Sequence, residues 1–224
     1  MGTDTTAVVR SGDGILLARG TNSSIVNNYV HHVYDQGLSV ETGPWFNDAD
    51  RYAKNMTIKG NLVEDCSGGM VLADWEALQL NKDSWTIFQN ITIEDNYFMY
   101  SGYGWSHQQP EYDWGVAGQI NNGNCNMFFG FPAKAGKDIF VKNNVFYLSK
   151  YALVGCKEGG QVQKQRYQVS FSGNTFVQNT LGLLTEWQSP EDYRYIKTYY
   201  FNLNAKKTVS SVLSDKTAIV LLPK

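Results

Sequence analysis

Along most of the chain, apolar residues alternate with polar ones at period two in short runs, as at Met56/Ile58, Ile91/Ile93, Ile139/Val141 and Val169/Phe171. Such alternation predicts β-strands with one buried face. The runs lead into one repeated phrase: "SSIVNNYV", "MTIKGNLV", "ITIEDNYF", "IFVKNNVF" and "VSFSGNTF" all read apolar, two variable residues, Asn, one residue, apolar. The shared asparagines are Asn28, Asn61, Asn96, Asn144 and Asn174. After a short turn most copies carry a second small strand, "GLSVE" from Gly37, "GMVLA" from Gly69, "YALVG" from Tyr151 and "GLLTE" from Gly182, with a partial copy, "GILLA", from Gly14.

Short strands that recur without helices between them predict a solenoid, in which each repeat buries its apolar face by stacking on its neighbours. The repeated asparagine has a physical role in such a coil. A sharp bend leaves backbone groups without partners, and a stacked column of Asn amides satisfies them while bonding to one another. With these two strand phrases the chain resembles the right-handed parallel β-helix proteins of the pectate-lyase-like superfamily over roughly residues 14 to 190. The resemblance implies an all-β fold, a right-handed parallel β-helix with an Asn ladder. An antiparallel sandwich would also alternate, but would not place one Asn identically in five copies.

Successive ladder asparagines lie 33, 35, 48 and 30 residues apart, against 23 residues from Gly14 to Gly37. The excess falls after the second strand in most coils, so the insertions are expected on one face, which in repeat proteins is commonly the binding face. The segment 105–137 reads as the longest of them.

The remaining composition narrows the chemistry. The chain has 224 residues and net charge −2, with 42% hydrophobic and 18% charged residues, enough for one sizeable core. It has no run of Lys or Arg and no apolar run near the ~18 residues that span a bilayer, so neither nucleic acid nor membrane is an expected partner. The N-terminus "MGTDTTAVVR" lacks the apolar stretch of a signal peptide. Cys66, Cys125 and Cys156 form no C-x-x-C pair and are read as structural thiols, with Cys66 facing inward. No common cofactor signature is present, so no cofactor is expected.

All six tryptophans, Trp45, Trp75, Trp85, Trp105, Trp114 and Trp187, fall in the insertions. Tryptophan beside carboxylates is a surface that stacks on sugar rings and bonds their hydroxyls. Trp45, Trp75, Glu76, Trp105, Asp113, Trp114 and Trp187 are therefore the candidate substrate-binding residues, and Trp85 reads as structural. Glu41 and Asp74 follow equivalent glycines, Gly37 and Gly69, and neighbouring coils stack about 4.8 Å apart. They are the candidate catalytic carboxylate pair of a glycoside hydrolase, expected on one face, with His107 above them and Asp35, Tyr103 and Tyr112 as helpers. Of His31 and His32, alternation predicts one packed inward and one exposed.

The reading is a carbohydrate-active β-helix protein acting on a polysaccharide or oligosaccharide. A polysaccharide lyase, with Ca²⁺ to neutralise a uronic acid, is the second enzyme reading. A non-catalytic carbohydrate-binding or adhesion module is the third. A bacterial extracellular or periplasmic location goes with these substrates. The N-terminus enters mid-coil without a cap, so residues 1–224 are expected to form a single β-helix domain, the C-terminal part of a longer protein or one whose first coil is covered by self-association. Residues 198–224 are expected to close the other end.

Overall fold

The computed structural model describes residues 12–33, 35–42, 52–74, 87–102, 125–130, 136–149, 152–156, 169–179 and 218–222. The first coil holds β1 (Ile15–Leu17), β2 (Gly20–Thr21), β3 (Ser24–Val26) and β4 (Tyr29–His31). The second holds β5 (Gln36–Thr42), β6 (Ala53–Lys59) and β7 (Leu62–Glu64), and the third β8 (Gly68–Asp74), β9 (Phe88–Glu94) and β10 (Tyr97–Ser101). The fourth holds β11 (Cys125–Gly130), β12 (Gly136–Lys142) and β13 (Val145–Ser149). The fifth holds β14 (Ala152–Cys156), β15 (Val169–Ser172) and β16 (Thr175–Asn179), and β17 (Ala218–Leu222) follows.

Like strands of successive coils pair in parallel, giving three sheets. Sheet 1 runs β1-β5-β8-β11-β14, sheet 2 runs β2-β6-β9-β12-β15 with β3 also on β6, and sheet 3 runs β4-β7-β10-β13-β16-β17. This is a parallel β-helix, and no helix occurs among the described residues. The apolar residue after each ladder Asn, which the sequence reading keeps in one phrase with the strand before it, belongs to a third sheet. The 105–137 segment also differs from expectation: it contains β11, whose Met127, Phe128, Phe129 and Gly130 lie in register with Met70, Val71, Leu72 and Ala73 of β8. The insertions 41–55, 73–89 and 156–167 fall where sheet 1 passes into sheet 2, after β5, β8 and β14, and 185–197 lies outside the described residues. Within 198–224, β17 adds a parallel strand beside β16.

Register makes the core a set of columns along the axis. Ile25, Ile58, Ile93, Val141 and Phe171 stack inside sheet 2, all buried. Val30, Val63, Phe98 and Phe146 do so inside sheet 3, with the two phenylalanine rings stacked at 5.6 Å. Leu38, Met70 and Met127 line sheet 1. Like on like keeps each layer filled without voids as the coils repeat. Cys66 is buried at 1% exposure, as expected, and burial pushes its thiol up to about 11. An inert structural thiol results.

The corner between sheets 2 and 3 explains the Asn template. Its first residue is in the left-handed conformation in each coil: Asn27, Gly60, Asp95, Asn143 and Gly173, with φ between 52° and 65°. Where an Asn precedes in the column, the next coil carries glycine for a reason of space. A Cβ on Gly60 would stand 2.3 Å from Asn27 Oδ1, and one on Gly173 2.2 Å from Asn143 Oδ1. The second corner residue is the ladder Asn. The backbone N–H and Nδ2 of Asn61 both donate to Asn96 Oδ1 in the next coil, at 2.9 and 2.8 Å. The same Nδ2 also reaches back to the Ile25 carbonyl, at 2.9 Å. Each interior amide thus ties three successive coils, and Asn96 and Asn144 repeat the scheme.

Candidate functional site

Two groups of chemistry-bearing side chains stand out among the described residues. The first lies on the outer face of sheet 3. Tyr29 and His31 share that face of β4, and their rings stack at 4.6 Å. Tyr29 is 58% exposed and its hydroxyl donates to Glu64 of the next coil, a bond that holds the phenol above its ordinary pKa. His32 ends the strand with φ 54°. That left-handed turn breaks the strand alternation, so both imidazoles face solvent, against the expectation that one would pack inward. Their Nδ1 atoms lie 2.7 Å apart, close enough for one neutral ring to donate to the other. Tyr97, 51% exposed, continues the outer face two coils on.

The second group joins the first two coils at sheet 1. Asp13 Oδ1 accepts the Gln36 backbone N–H at 3.2 Å, and its carboxyl is also hydrogen-bonded to Ser39. Ser39 Oγ donates to Glu41 Oε1 at 2.6 Å. Gln36 Nε2 donates to Asp35 Oδ1 at 3.0 Å. Burial, with Glu41 and Asp35 close by, pushes the Asp13 carboxyl up to about 7. Burial also raises Asp35, against two bonds from Gln36 that oppose it. Sequence reading missed Asp13 and Gln36, because neither lies in a repeated phrase. The cue was that Asp13 directly precedes "GILLA" one coil below Gln36.

The proposed carboxylate pair is not brought together. Thr42 lies in register with Asp74, and Glu41 with Ala73. Thr42 Oγ1 donates to Asp74 Oδ2, so those two share the inner side, where Asp74 is fully buried. Glu41, one residue away, leaves by the other side with Ser39. A two-carboxylate mechanism needs both groups on one face of one sugar, and this geometry corrects the expectation. The offset of one residue, five after Gly69 for Asp74 but four after Gly37 for Glu41, was visible in the spacing and decides the facing. His107, Trp45, Trp75, Glu76, Trp105, Asp113, Trp114 and Trp187 lie outside the described residues, as do Tyr103, Tyr112 and Trp85.

The family model described as periplasmic copper-binding protein (NosD) matches residues 1–206. The chain belongs to the NosD family. No curated protein and no solved structure matches it. Membership agrees with the parallel β-helix, and the NosD description agrees with the expected extracellular or periplasmic location. It turns attention from the expected sugar, and from an expectation of no cofactor or of Ca²⁺ in a lyase, to a metal ion that imidazole and sulfur bind well. Among the described residues no three His, Cys, Asp or Glu side chains form a group that could hold a metal ion. Two imidazole nitrogens do lie side by side, Nδ1 of His31 and Nδ1 of His32.

Proposed function

We propose that this NosD-family chain is a periplasmic β-helix that binds copper as cargo, with His31 and His32 supplying two of the ligands. The observation that supports the reading is the pair of exposed Nδ1 atoms, 2.7 Å apart at the end of a strand. Imidazole nitrogen suits copper, whereas oxygen donors alone suit Mg²⁺ and Ca²⁺. Tyr29 supports the pair by stacking on His31, and its own place is fixed by Glu64 of the coil beyond. An exposed site on a rigid sheet edge suits an ion that is handed on, since a partner protein can approach it. The test is copper titration of the purified chain by competition with a chromophoric chelator. A His31→Ala/His32→Ala double variant should bind at least tenfold more weakly, and unchanged affinity would sink the assignment.

A second reading keeps the sugar ligand without cleavage. Tyr29 and Tyr97 stand exposed on one outer face two coils apart, an arrangement on which sugar rings stack. With Glu41 and Asp74 on opposite sides, hydrolysis through that pair has no support, and the reading is a polysaccharide-binding surface. Retention on immobilised polysaccharides, lost in a Tyr29→Ala/Tyr97→Ala variant, would favour it. Failure of a polysaccharide panel to retard the chain would remove it.

A further inference from the structure

A second amide column runs along the outside of sheet 2. Asn22, Asn55 and Asn90 lie in neighbouring coils, all exposed and all in the left-handed conformation, with φ 55°, 54° and 52°. Asn90 Nδ2 donates to Asn55 Oδ1 at 2.9 Å, and Asn55 Nδ2 to Asn22 Oδ1 at 3.1 Å. Two residues after each stands a hydroxyl, Ser24, Thr57 and Thr92, in register with one another. Since Ile25, Ile58 and Ile93 are buried, alternation turns the three hydroxyls outward. The residues between are Ser23, Met56 and Ile91, none of them proline. The fold requires neither half of this arrangement. In the fourth coil the same left-handed position is Asp138, with φ 54°, and the outward position is Phe140, in register with Thr92. Asparagine and hydroxyl thus occur together in three coils and are lost together in the fourth.

We infer that this column is a site of N-linked glycosylation, with Asn22 its principal acceptor. Asn-x-Ser/Thr without proline is the phrase that N-glycosyl transferases read on exported chains, and the periplasmic location supplies the export. In the transfer, the amide nitrogen bonds to the anomeric carbon of a lipid-diphosphate-linked oligosaccharide. The bond from that carbon to the diphosphate breaks, the diphosphate leaves with the electron pair, and the transferase takes one amide proton. Each Nδ2 carries two hydrogens and the column uses one, so a substituted amide keeps its ladder bond. Asn22 leads because its Oδ1 accepts from Asn55 while its Nδ2 donates to no group among the described residues. Ser24 beside it is also exposed, whereas Thr57 and Thr92 are half-buried. Neighbouring coils stack about 4.8 Å apart, less than the width of a sugar ring with its substituents. A glycan on Asn22 therefore covers Asn55, and a second has room at Asn90, two coils away. The site is separate from the histidine pair and does not depend on the copper reading.

The experiment is mass spectrometry of the chain isolated from the periplasm of the cells that make it, as intact protein and as peptides. The intact mass should exceed that of the polypeptide by one or two oligosaccharides. One should sit on the peptide that contains Asn22 and any second on the peptide that contains Asn90. Ser24→Ala should abolish the modification of Asn22 and Ser24→Thr should keep it, a pair of results that general damage to the coil would not give. Both variants should retain the circular dichroism of the unaltered chain, because the changed hydroxyl is exposed. Absence of oligosaccharide mass on the unaltered chain overturns the assignment, as does modification of Asn22 that survives Ser24→Ala. If Ser24→Ala fails to fold, the peptides of the unaltered chain decide it: sugar on Asn22 supports the assignment, and sugar on Asn55 alone overturns it.

Discussion

A ladder asparagine is buried among groups that have no other source of hydrogen bonds, so its replacement should be felt well beyond one side chain. Asn96 Oδ1 accepts from the backbone and side chain of Asn61, and Asn96 Nδ2 serves the Ile58 carbonyl and Asn144. Asn96→Ala leaves several of these groups buried and unpaired at about 1–3 kcal/mol each, so a loss of about 3–5 kcal/mol is expected by urea denaturation. Asn28 is half-buried and begins the described ladder, donating to Asn61. Asn28→Ala should cost about 1 kcal/mol, the ordinary value of a hydrogen bond near solvent. Equal losses at the two positions would mean that burial of the column is not what gives it strength.

At the scale of the strand, the Asp13 carboxyl couples β1 to β5 in a way that pH can read. Its folded-state pKa of about 7 lies above the unfolded value of about 3.9. Between those two values the folded chain binds more protons than the unfolded one, so this group's contribution to stability is full below about 4 and is lost as pH rises towards 7. Stability of the unaltered chain should therefore fall from pH 5 to pH 8 relative to Asp13→Asn, which removes the proton and flattens the difference. Parallel pH profiles for the two proteins would refute the coupling. The strands themselves were legible where their pattern was local: the alternation of Met56 and Ile58, or of Ile139 and Val141, marks sheet 2 directly. Sheet 3 was harder, because Leu62–Glu64 is too short for a period to show. β11 was hidden because Asn126 stands where the first three coils have Gly14, Gly37 and Gly69, although "MFFG" still matches "MVLA" in register. The site was less legible still. Whether two acids share a face depends on one residue of register, and the approach of His31 to His32 depends on a left-handed turn at His32, a conformation that only a small fraction of non-glycine residues adopt.

Taken as a whole, the molecule is a stack in which each coil's strands pair with those of the coils before and after, so stability should be transmitted by nearest neighbours rather than through one central core. Phe98 sits in the third coil between Val63 and Phe146 and is fully buried. Phe98→Ala should cost about 3–5 kcal/mol, and its effect should be felt most by the two adjoining coils. Amide hydrogen exchange is the measurement: protection should fall first in β7, β10 and β13 and least in β3 and β16. A uniform fall across all strands would show that the stack unfolds as one unit despite its repeated construction.

The asparagine column has a direction. At every described step the earlier coil donates and the later coil's Oδ1 accepts: Asn28 to Asn61, Asn61 to Asn96, Asn96 to Asn144 and Asn144 to Asn174. The two ends of such a column are chemically unlike. A segment stacking before Asn28 must bring amide donors, and one stacking after Asn174 must bring an acceptor. Two copies of this chain could therefore join through the ladder only head to tail, never face to face about a two-fold axis. A contact of that kind does not close on itself as a dimer but repeats, so any association through the coil ends would build a filament whose growing tips differ.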